Sequence, residues 1–197
     1  MELTTCRPGG LELTRLSLEF CQFTPAARLL DIGCGSGATV SLLNDLGYQA
    51  IGVDLFPPEG GVQADAAALP FDDDSFDGIL FECSFSKITA ADTALSEAHR
   101  VLKPNGKLLM TDFYARGQPA EFSGVLGRME SRFALLLRLQ SADFIVKLWQ
   151  DHSDTLPQFW GQWILDRGSQ QVWCEIDKTT LRQAKCGYFL VVLEGKP

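Results

Sequence analysis

The sequence predicts an α/β fold in which helices cover a mostly parallel β-sheet. Three observations carry this prediction. Short apolar runs alternate with helical patterns through the first two-thirds of the chain, a glycine-rich loop joins the first run to a helix, and an acidic residue ends each of three successive strands. Alternation of strands and helices is typical of parallel sheets, because parallel neighbours need a crossover connection.

The first half of the chain is predicted from apolar spacing and its breakers. The opening helix ends at Thr24-Pro25, because the residue before a proline disfavours the helical conformation. A nearly continuous apolar run is typical of a buried parallel strand. Gly47 ends the helix that follows the glycine loop. The predicted elements are helix 11–23, strand 27–32, helix 39–46, strand 49–55 and strand 62–65.

The second half continues the alternation and then becomes less regular. The turn sequence Pro104-Asn105-Gly106 separates a helix from the fifth strand, and Ser153 is expected to cap a later helix. The predicted elements are strand 76–82, helix 92–102, strand 107–112, helix 121–139, strand 144–149, helix 153–165, helix 177–185 and strand 188–193.

Composition and charge narrow the classes of function. The chain carries 17 Lys and Arg against 25 Asp and Glu, a formal net charge of −8, which disfavours binding to a phosphate backbone. No apolar stretch approaches the ~18 residues of a membrane span, and the start lacks a signal-peptide pattern. We therefore expect a cytoplasmic protein, monomeric or homodimeric, with neither a nucleic-acid nor a membrane partner.

The cysteines predict reduced thiols rather than disulfides or a zinc site. None belongs to a C-x-x-C pair, and His99 and His152 lie far apart in the sequence. We therefore predict no metal site. The six cysteines are Cys6, Cys21, Cys34, Cys83, Cys174 and Cys186.

The most informative segment is the glycine loop within LLDIGCGSGA, residues 29–38. Glycines at a strand-to-helix junction let the backbone approach a ligand and adopt positive φ. The helix that follows directs free N–H groups at that ligand. Gly33, Gly35 and Ala38 also satisfy the dinucleotide fingerprint G-x-G-x-x-G/A, so the loop alone leaves a nicotinamide cofactor open.

Acidic residues at the strand ends favour a different ligand. Asp31 precedes the loop, where a carboxylate would repel a pyrophosphate and suit the ammonium and sulfonium cations of S-adenosylmethionine. Asp54 ends the second strand, where it can accept hydrogen bonds from both ribose hydroxyls. Asp65 ends the third strand, within reach of an adenine amino group. Because ligands bind at these carboxyl ends, the three acids together favour a nucleoside site.

Across residues 27–112 the sequence resembles the class I methyltransferases, in particular the type-11 domain of ubiquinone, menaquinone and other small-molecule methyltransferases. The resemblance rests on LLDIGCGSGA, AIGVDLF, ADAAALPFDDDSFDGILFE and HRVLKPNGKLLMTD in this order. It implies a Rossmann-like sheet of seven strands, parallel except for the last. We expect a single domain, 1–197, with an N-terminal helix and cap (1–26), a cofactor-binding core (27–112) and a substrate-side tail (113–197).

The resemblance implies a site for S-adenosylmethionine along the strand ends. Asp31 and the loop glycines would line the methionine and ribose, and Asp54 would take the ribose hydroxyls. Leu55 would lie against the adenine, whose edge Asp65 and Ala66 would hold. The implied cofactor-binding residues are Asp31, Gly33, Cys34, Gly35, Gly37, Asp54, Leu55, Asp65, Ala66, Glu82 and Cys83.

Catalytic residues follow less directly from the sequence. Methyl transfer is an in-line displacement at an activated sulfonium, so alignment and exclusion of water matter most. A general base is needed only when the acceptor starts protonated. Candidates for proton removal or substrate orientation are Glu82, Tyr114 and His152, and the family places residues near the methyl at the positions of Glu82 and Cys83.

Two segments flank the core. For residues 5–10 we favour a solvated turn, the alternative being a fold over the cofactor that pairs Arg7 with its carboxylate. The tail departs from the family, because a helical stretch, 150–187, precedes the last strand as a substrate cover or dimer surface. This stretch includes His152 and Trp173, and its aromatics Phe159, Trp160 and Trp163 are expected in the core.

The most favoured function is methyl transfer from S-adenosylmethionine to a small-molecule acceptor. An arsenite methyltransferase is one alternative, in which Cys34 and Cys83 would be joined by thiols from the terminal segments. A non-catalytic, cofactor-binding regulatory or scaffold protein is a second. A nicotinamide-dependent oxidoreductase is a third, which Asp31 disfavours.

Overall fold

The computed structural model describes residues 5, 7–168 and 176–196. Within them, seven strands form one sheet in the order β3-β2-β1-β4-β5-β9-β8. Strands β1 to β5 run parallel, whereas β9 runs antiparallel to both β5 and β8. The predicted seven-stranded sheet, parallel except for its last strand, is therefore confirmed. The strands are β1 Arg28–Ile32, β2 Gln49–Asp54, β3 Val62–Gln63, β4 Phe76–Glu82, β5 Leu102–Ala115, β8 Phe144–Asp151 and β9 Cys186–Gly195.

Helices pack on both faces of this sheet. One hydrophobic cluster joins alternate strand residues such as Leu29 and Leu80 to helices α1, α2, α5 and α6, and the other joins Leu30 and Ile79 to α3 and α4. Burial on both faces explains the continuous apolar runs of the central strands. The helices are α1 Gly10–Cys21, α2 Ala38–Asp45, α3 Ala91–Val101, α4 Arg132–Ser141, α5 Leu156–Arg167 and α6 Lys178–Ala184.

The long helix predicted over 121–139 is wrong in its first half. A hairpin of β6 Ala120–Glu121 and β7 Arg128–Met129 occupies this segment, and α4 begins only after it. Gly124 and Gly127 adopt positive φ of 71° and 55°, which turns the chain back. The Ser131 side chain then accepts a hydrogen bond from the Ala134 N–H and caps α4.

The predicted helical stretch before the last strand is present in the described residues. A 3₁₀ turn at Ser153–Thr155 leads into α5, so Ser153 does not itself cap that helix. Phe159 and Trp163 are buried in the cluster on the α1 face, as the sequence predicts. Trp173 lies outside the described residues. None of the helices in the described ranges has the length and apolar character needed to cross a membrane.

Candidate functional site

The glycine loop between β1 and α2 closes tightly on one side and is open on the other. Gly33 and Cys34 donate their N–H groups to the Val53 carbonyl at 2.8 and 3.0 Å, which ties the loop to β2. Gly33 has a φ of 79°, and a Cβ there would lie 2.4 Å from that of Ser84. Around Gly35, by contrast, a Cβ would meet no atom within 4 Å. The loop thus presents exposed backbone to a ligand.

A cavity of about 300 Å³ opens at this loop, at the carboxyl ends of β1 and β4. It joins three parts of the chain: the segment before α1, the glycine loop with the start of α2, and the residues that follow β4. The lining residues are Thr5, Arg7, Gly33, Cys34, Gly35, Ser36, Ala38, Thr39, Glu82, Cys83 and Lys87. The position agrees with the rule that ligands bind beyond the carboxyl ends of parallel strands.

Asp54 lies at the end of β2, directly beside the loop. Its Oδ2 accepts a hydrogen bond from the Gly35 N–H and its Oδ1 from the Phe56 N–H, both at 3.0 Å. These contacts fix the carboxylate beside Gly35, a lining residue of the cavity, while its remaining lone pairs stay free for hydroxyl donors. Leu55 follows with a side chain that is 54% exposed, an apolar surface at the position predicted for an adenine.

A buried ion pair forms one wall of the cavity. Arg7 Nη2 lies 2.7 Å from Glu82 Oε2, with the two side chains only 10% and 4% exposed. The hydroxyls of Thr14 and Thr39 donate to the two Glu82 oxygens at 2.8 and 2.6 Å. The interpretation of residues 5–10 as a solvated turn is therefore wrong for Arg7, because its guanidinium is buried in an ion pair with Glu82.

Asp31 lies beneath the loop rather than on the surface of the cavity. It is 2% exposed, and its Oδ1 has no hydrogen-bond partner among the described residues. Burial, together with the negative charge of Glu82, raises the pKa of Asp31 to about 8. The carboxyl is thus largely protonated at pH 7, and a cation arriving nearby would favour its ionised form.

The raised pKa of Asp31 predicts a pH-dependent stability. The folded state holds a proton that the unfolded chain releases near pH 3.9. The resulting stabilisation is fully present below that pH and is lost as the pH rises through about 8. In the wild type we expect the free energy of unfolding to fall with pH by up to about 1.4 kcal/mol per pH unit because of this group. Asp31→Asn should remove this dependence. Urea unfolding from pH 5 to 8 measures it, and equal slopes in both proteins would contradict it.

Cys83 follows β4 in a strained backbone conformation with a φ of 54°. Its Sγ lies 3.3 Å from the Tyr188 hydroxyl, which contacts Thr111 Oγ1 at 3.2 Å. Burial, followed by the charge of Asp112, raises the pKa of the Cys83 thiol far above its usual range. The thiol is therefore protonated, so it lines the cavity as a neutral side chain.

The remaining predicted binding residues lie farther along the strand ends. Asp65 is exposed, and its Oδ1 accepts from the Ala67 N–H at 2.9 Å. Ala66 is half-buried beside it. Gly37, with a φ of 80°, precedes the first residue of α2. The predicted binding residues that do not line the cavity are Asp31, Gly37, Asp54, Leu55, Asp65 and Ala66.

Of the three catalytic candidates, the structure brings only Glu82 into the cavity. Alternate residues of a strand face opposite sides of the sheet. Tyr114 therefore packs against Trp149 and Phe189, on the side opposite to Tyr188. His152 lies at the end of β8, where its Nε2 is 2.9 Å from Gln150 Oε1. Neither Tyr114 nor His152 lines the cavity.

Replacing Tyr114 with phenylalanine is expected to lower stability without changing cofactor binding. The change removes a 2.7 Å hydrogen bond from the phenol to Asp151 Oδ2. One such bond contributes about 1 kcal/mol, or up to about 3 kcal/mol when the acceptor is charged. Urea unfolding measures the loss, and titration with S-adenosylhomocysteine serves as the control. A variant of unchanged stability with weakened binding would show that Tyr114 reaches the ligand.

Sequence reasoning missed several lining residues. Thr39 and Ser36 belong to the segment of the glycine loop and α2. Their closeness to the glycines in the sequence could have predicted that they line the site. Lys87 comes from a 3₁₀ turn, Phe85–Lys87, and Thr5 from the segment before α1, and the placement of both depends on packing. No local spacing marks either residue in the sequence.

The described cysteines do not assemble a thiol site. Cys34 and Cys83 line the cavity, but burial raises the pKa of Cys34 to about 12. Cys21 and Cys186 lie elsewhere, and Cys6 and Cys174 are outside the described residues. Within the described ranges, no group of three His, Cys, Asp or Glu side chains is placed to hold a metal ion.

The segment that builds this site matches a known family. Residues 30–110 match the model of a methyltransferase domain. The chain is 24% identical to demethylmenaquinone methyltransferase of Renibacterium salmoninarum, over 92% of this chain and 81% of that protein. It is 36% identical to an uncharacterized methyltransferase, YodH, of Bacillus subtilis, over 52% of this chain and 50% of that protein. The chain spans about half the length of most of the curated relatives it matches.

Solved structures share the fold. The 4+2 cyclase SpnF matches with a TM-score of 0.77 and 24% identity, over 94% of this chain and 80% of that chain. Phosphoethanolamine N-methyltransferase 2 of Haemonchus contortus, bound to S-adenosylmethionine, matches with a TM-score of 0.75 and 17% identity. The match covers 98% of this chain and 54% of that chain. Residues 30–110 are thus similar to a methyltransferase domain, and the seven-stranded sheet has the class I methyltransferase fold of these solved structures.

Proposed function

We propose that this protein transfers the methyl group of S-adenosylmethionine to a small-molecule acceptor. The observation that carries the proposal is the cavity at the open side of the glycine loop, where the lining residue Gly35 donates its N–H to the carboxylate of Asp54. Its volume of about 300 Å³ lies at the lower end of the range of small-molecule sites. Small acceptors are also named for similar proteins, namely demethylmenaquinone and geranyl diphosphate.

Residues near the strand ends beside the cavity fit the chemical groups of S-adenosylmethionine. Asp54 would accept hydrogen bonds from the ribose hydroxyls, and the exposed side chain of Leu55 would lie against the adenine. Asp65 and Ala66 would face the adenine edge. The unpartnered Oδ1 of Asp31 is a free acceptor close to the loop, and it would stabilise the positive charge of the methionine part.

When bound, the cofactor supplies an electrophilic methyl group on a sulfonium. The protein then has to align an acceptor with this methyl and exclude water. Glu82 and Cys83 line the cavity where β4 ends, and Thr5 and Arg7 line it from the segment before α1. Arg7 anchors that segment through its ion pair with Glu82. Their contribution is therefore positioning and enclosure.

Calorimetric titration of the purified protein with S-adenosylmethionine, S-adenosylhomocysteine and NAD tests the cofactor assignment. Binding of the first two without NAD is the expected result, followed by methyl transfer in a screen of small acceptors. Binding of NAD alone would overturn the proposal in favour of an oxidoreductase. Cofactor binding without turnover across the screen would favour the scaffold alternative.

A further inference from the structure

The cavity contains a cation that no described acid neutralises by an ion pair. Lys87 ends the 3₁₀ turn after β4, and its exposed side chain lines the cavity. None of the ion pairs among the described residues includes Lys87. The acid whose charge it influences, Asp112, is 1% exposed and already accepts the backbone N–H groups of Ser86 and Phe113.

The charge balance of the lining is consequently positive. Arg7 and Glu82 cancel each other in their buried pair, and Lys87 is the remaining charged side chain of the described lining. This contrasts with the whole chain, whose net charge is −8. Asp31 and Asp54 would offset the positive charge of the bound cofactor, so Lys87 would remain as the unpaired charge of the lining and attract an anionic acceptor.

No described side chain of the lining is free to act as a general base. Both oxygens of Glu82 accept hydrogen bonds, from Arg7, Thr14 and Thr39. The thiols of Cys34 and Cys83 have raised pKa values because they are buried. The described lining residues therefore offer no general base to an acceptor that must lose a proton during methyl transfer.

We propose that the acceptor is a small oxygen acid, a phenol or carboxylic acid, that binds as its oxyanion with the Lys87 ammonium as counter-ion. This inference rests on the proposed methyltransferase function. The proton leaves to solvent before binding. The oxyanion then attacks the methyl carbon, the carbon–sulfur bond breaks, and its electron pair remains on sulfur, which gives S-adenosylhomocysteine and a neutral methyl ether or ester. Lys87 is a specificity-determining residue in this scheme.

Matched probes of equal shape and different charge test the inference. Protein saturated with S-adenosylhomocysteine is titrated with benzoate, benzyl alcohol and benzylammonium, and with their 2-naphthyl equivalents. We expect at least one carboxylate to bind, its alcohol and ammonium counterparts to bind at least tenfold more weakly, and Lys87→Gln to weaken the carboxylate about tenfold. Lys87→Arg should retain most of the binding because it keeps the charge.

Lys147→Gln is the control, since it removes the same charge from an exposed side chain on β8, outside the cavity. Equal weakening by Lys147→Gln, a preference for the ammonium probes, or binding of no probe would overturn the inference and leave the methyltransferase proposal standing. Loss of S-adenosylhomocysteine affinity in Lys87→Gln would also overturn it, because Lys87 would then serve the cofactor. Failure of the wild type to bind S-adenosylhomocysteine would overturn the methyltransferase proposal itself.

Discussion

Replacing Asp54 with alanine is expected to weaken S-adenosylmethionine binding by roughly 10- to 150-fold. The carboxylate lies beside the glycine loop, held by the N–H groups of Gly35 and Phe56. Its loss would remove at least one charge-assisted hydrogen bond to the ribose, which contributes about 1.5–3 kcal/mol. Calorimetric titration measures the change in Kd directly.

The matched control for Asp54 is Asp72→Ala. Asp72 is exposed in the loop before β4, and its replacement changes the net charge by the same amount. We expect its affinity for S-adenosylmethionine to equal that of the wild type. An Asp54→Ala protein that folds normally and binds with unchanged affinity would remove the ribose role of Asp54, and equal weakening in both variants would indicate a general charge effect.

Replacing Arg7 with methionine should lower the free energy of unfolding by about 3–5 kcal/mol. Glu82 is fixed in β4 with a 4% exposed side chain, so removal of the guanidinium leaves its charge buried without a cation. The hydroxyls of Thr14 and Thr39 would remain as its hydrogen-bond donors. Urea unfolding of the two proteins at the same pH measures the difference.

A double-mutant cycle separates the ion pair from simple loss of packing. Arg7→Met combined with Glu82→Leu removes both charges, and we expect its destabilisation to be at least ~1 kcal/mol smaller than the sum of the single changes. Arg15→Met, at an exposed position of α1, should stay within about 0.5 kcal/mol of the wild type. If the losses in free energy of unfolding were additive, the ion pair between Arg7 and Glu82 would contribute nothing to stability.

Several features of the site follow from local sequence alone. Gly33 and Gly35 lie between an apolar strand and a helix, and both adopt positive φ, which residues other than glycine seldom do. Asp54 ends a second apolar run, so its place beside the loop follows from the parallel pairing of neighbouring strands. The seven-stranded order depended on resemblance, because spacing alone does not determine how strands are arranged.

Other features depended on contacts between distant parts of the chain. The pairing of Arg7 with Glu82 joins the segment before α1 to the end of β4, and no local pattern predicts such a partner. The hairpin at 120–129 replaced a predicted helix because Gly124 and Gly127 turn the backbone, although the surrounding apolar residues are compatible with helical spacing.

Within this chain, the sequence by itself determined the strand-loop-helix segment at Gly33–Gly37 and the acid at Asp54, because backbone conformation and strand ends are local properties. Only the tertiary structure decided which charged side chains share the cavity. It placed Arg7, Glu82 and Lys87 together and turned Tyr114 to the opposite face of the sheet. The physical reason is that a side chain's neighbours depend on strand register and helix packing. Both are determined by contacts between residues that are distant in the sequence.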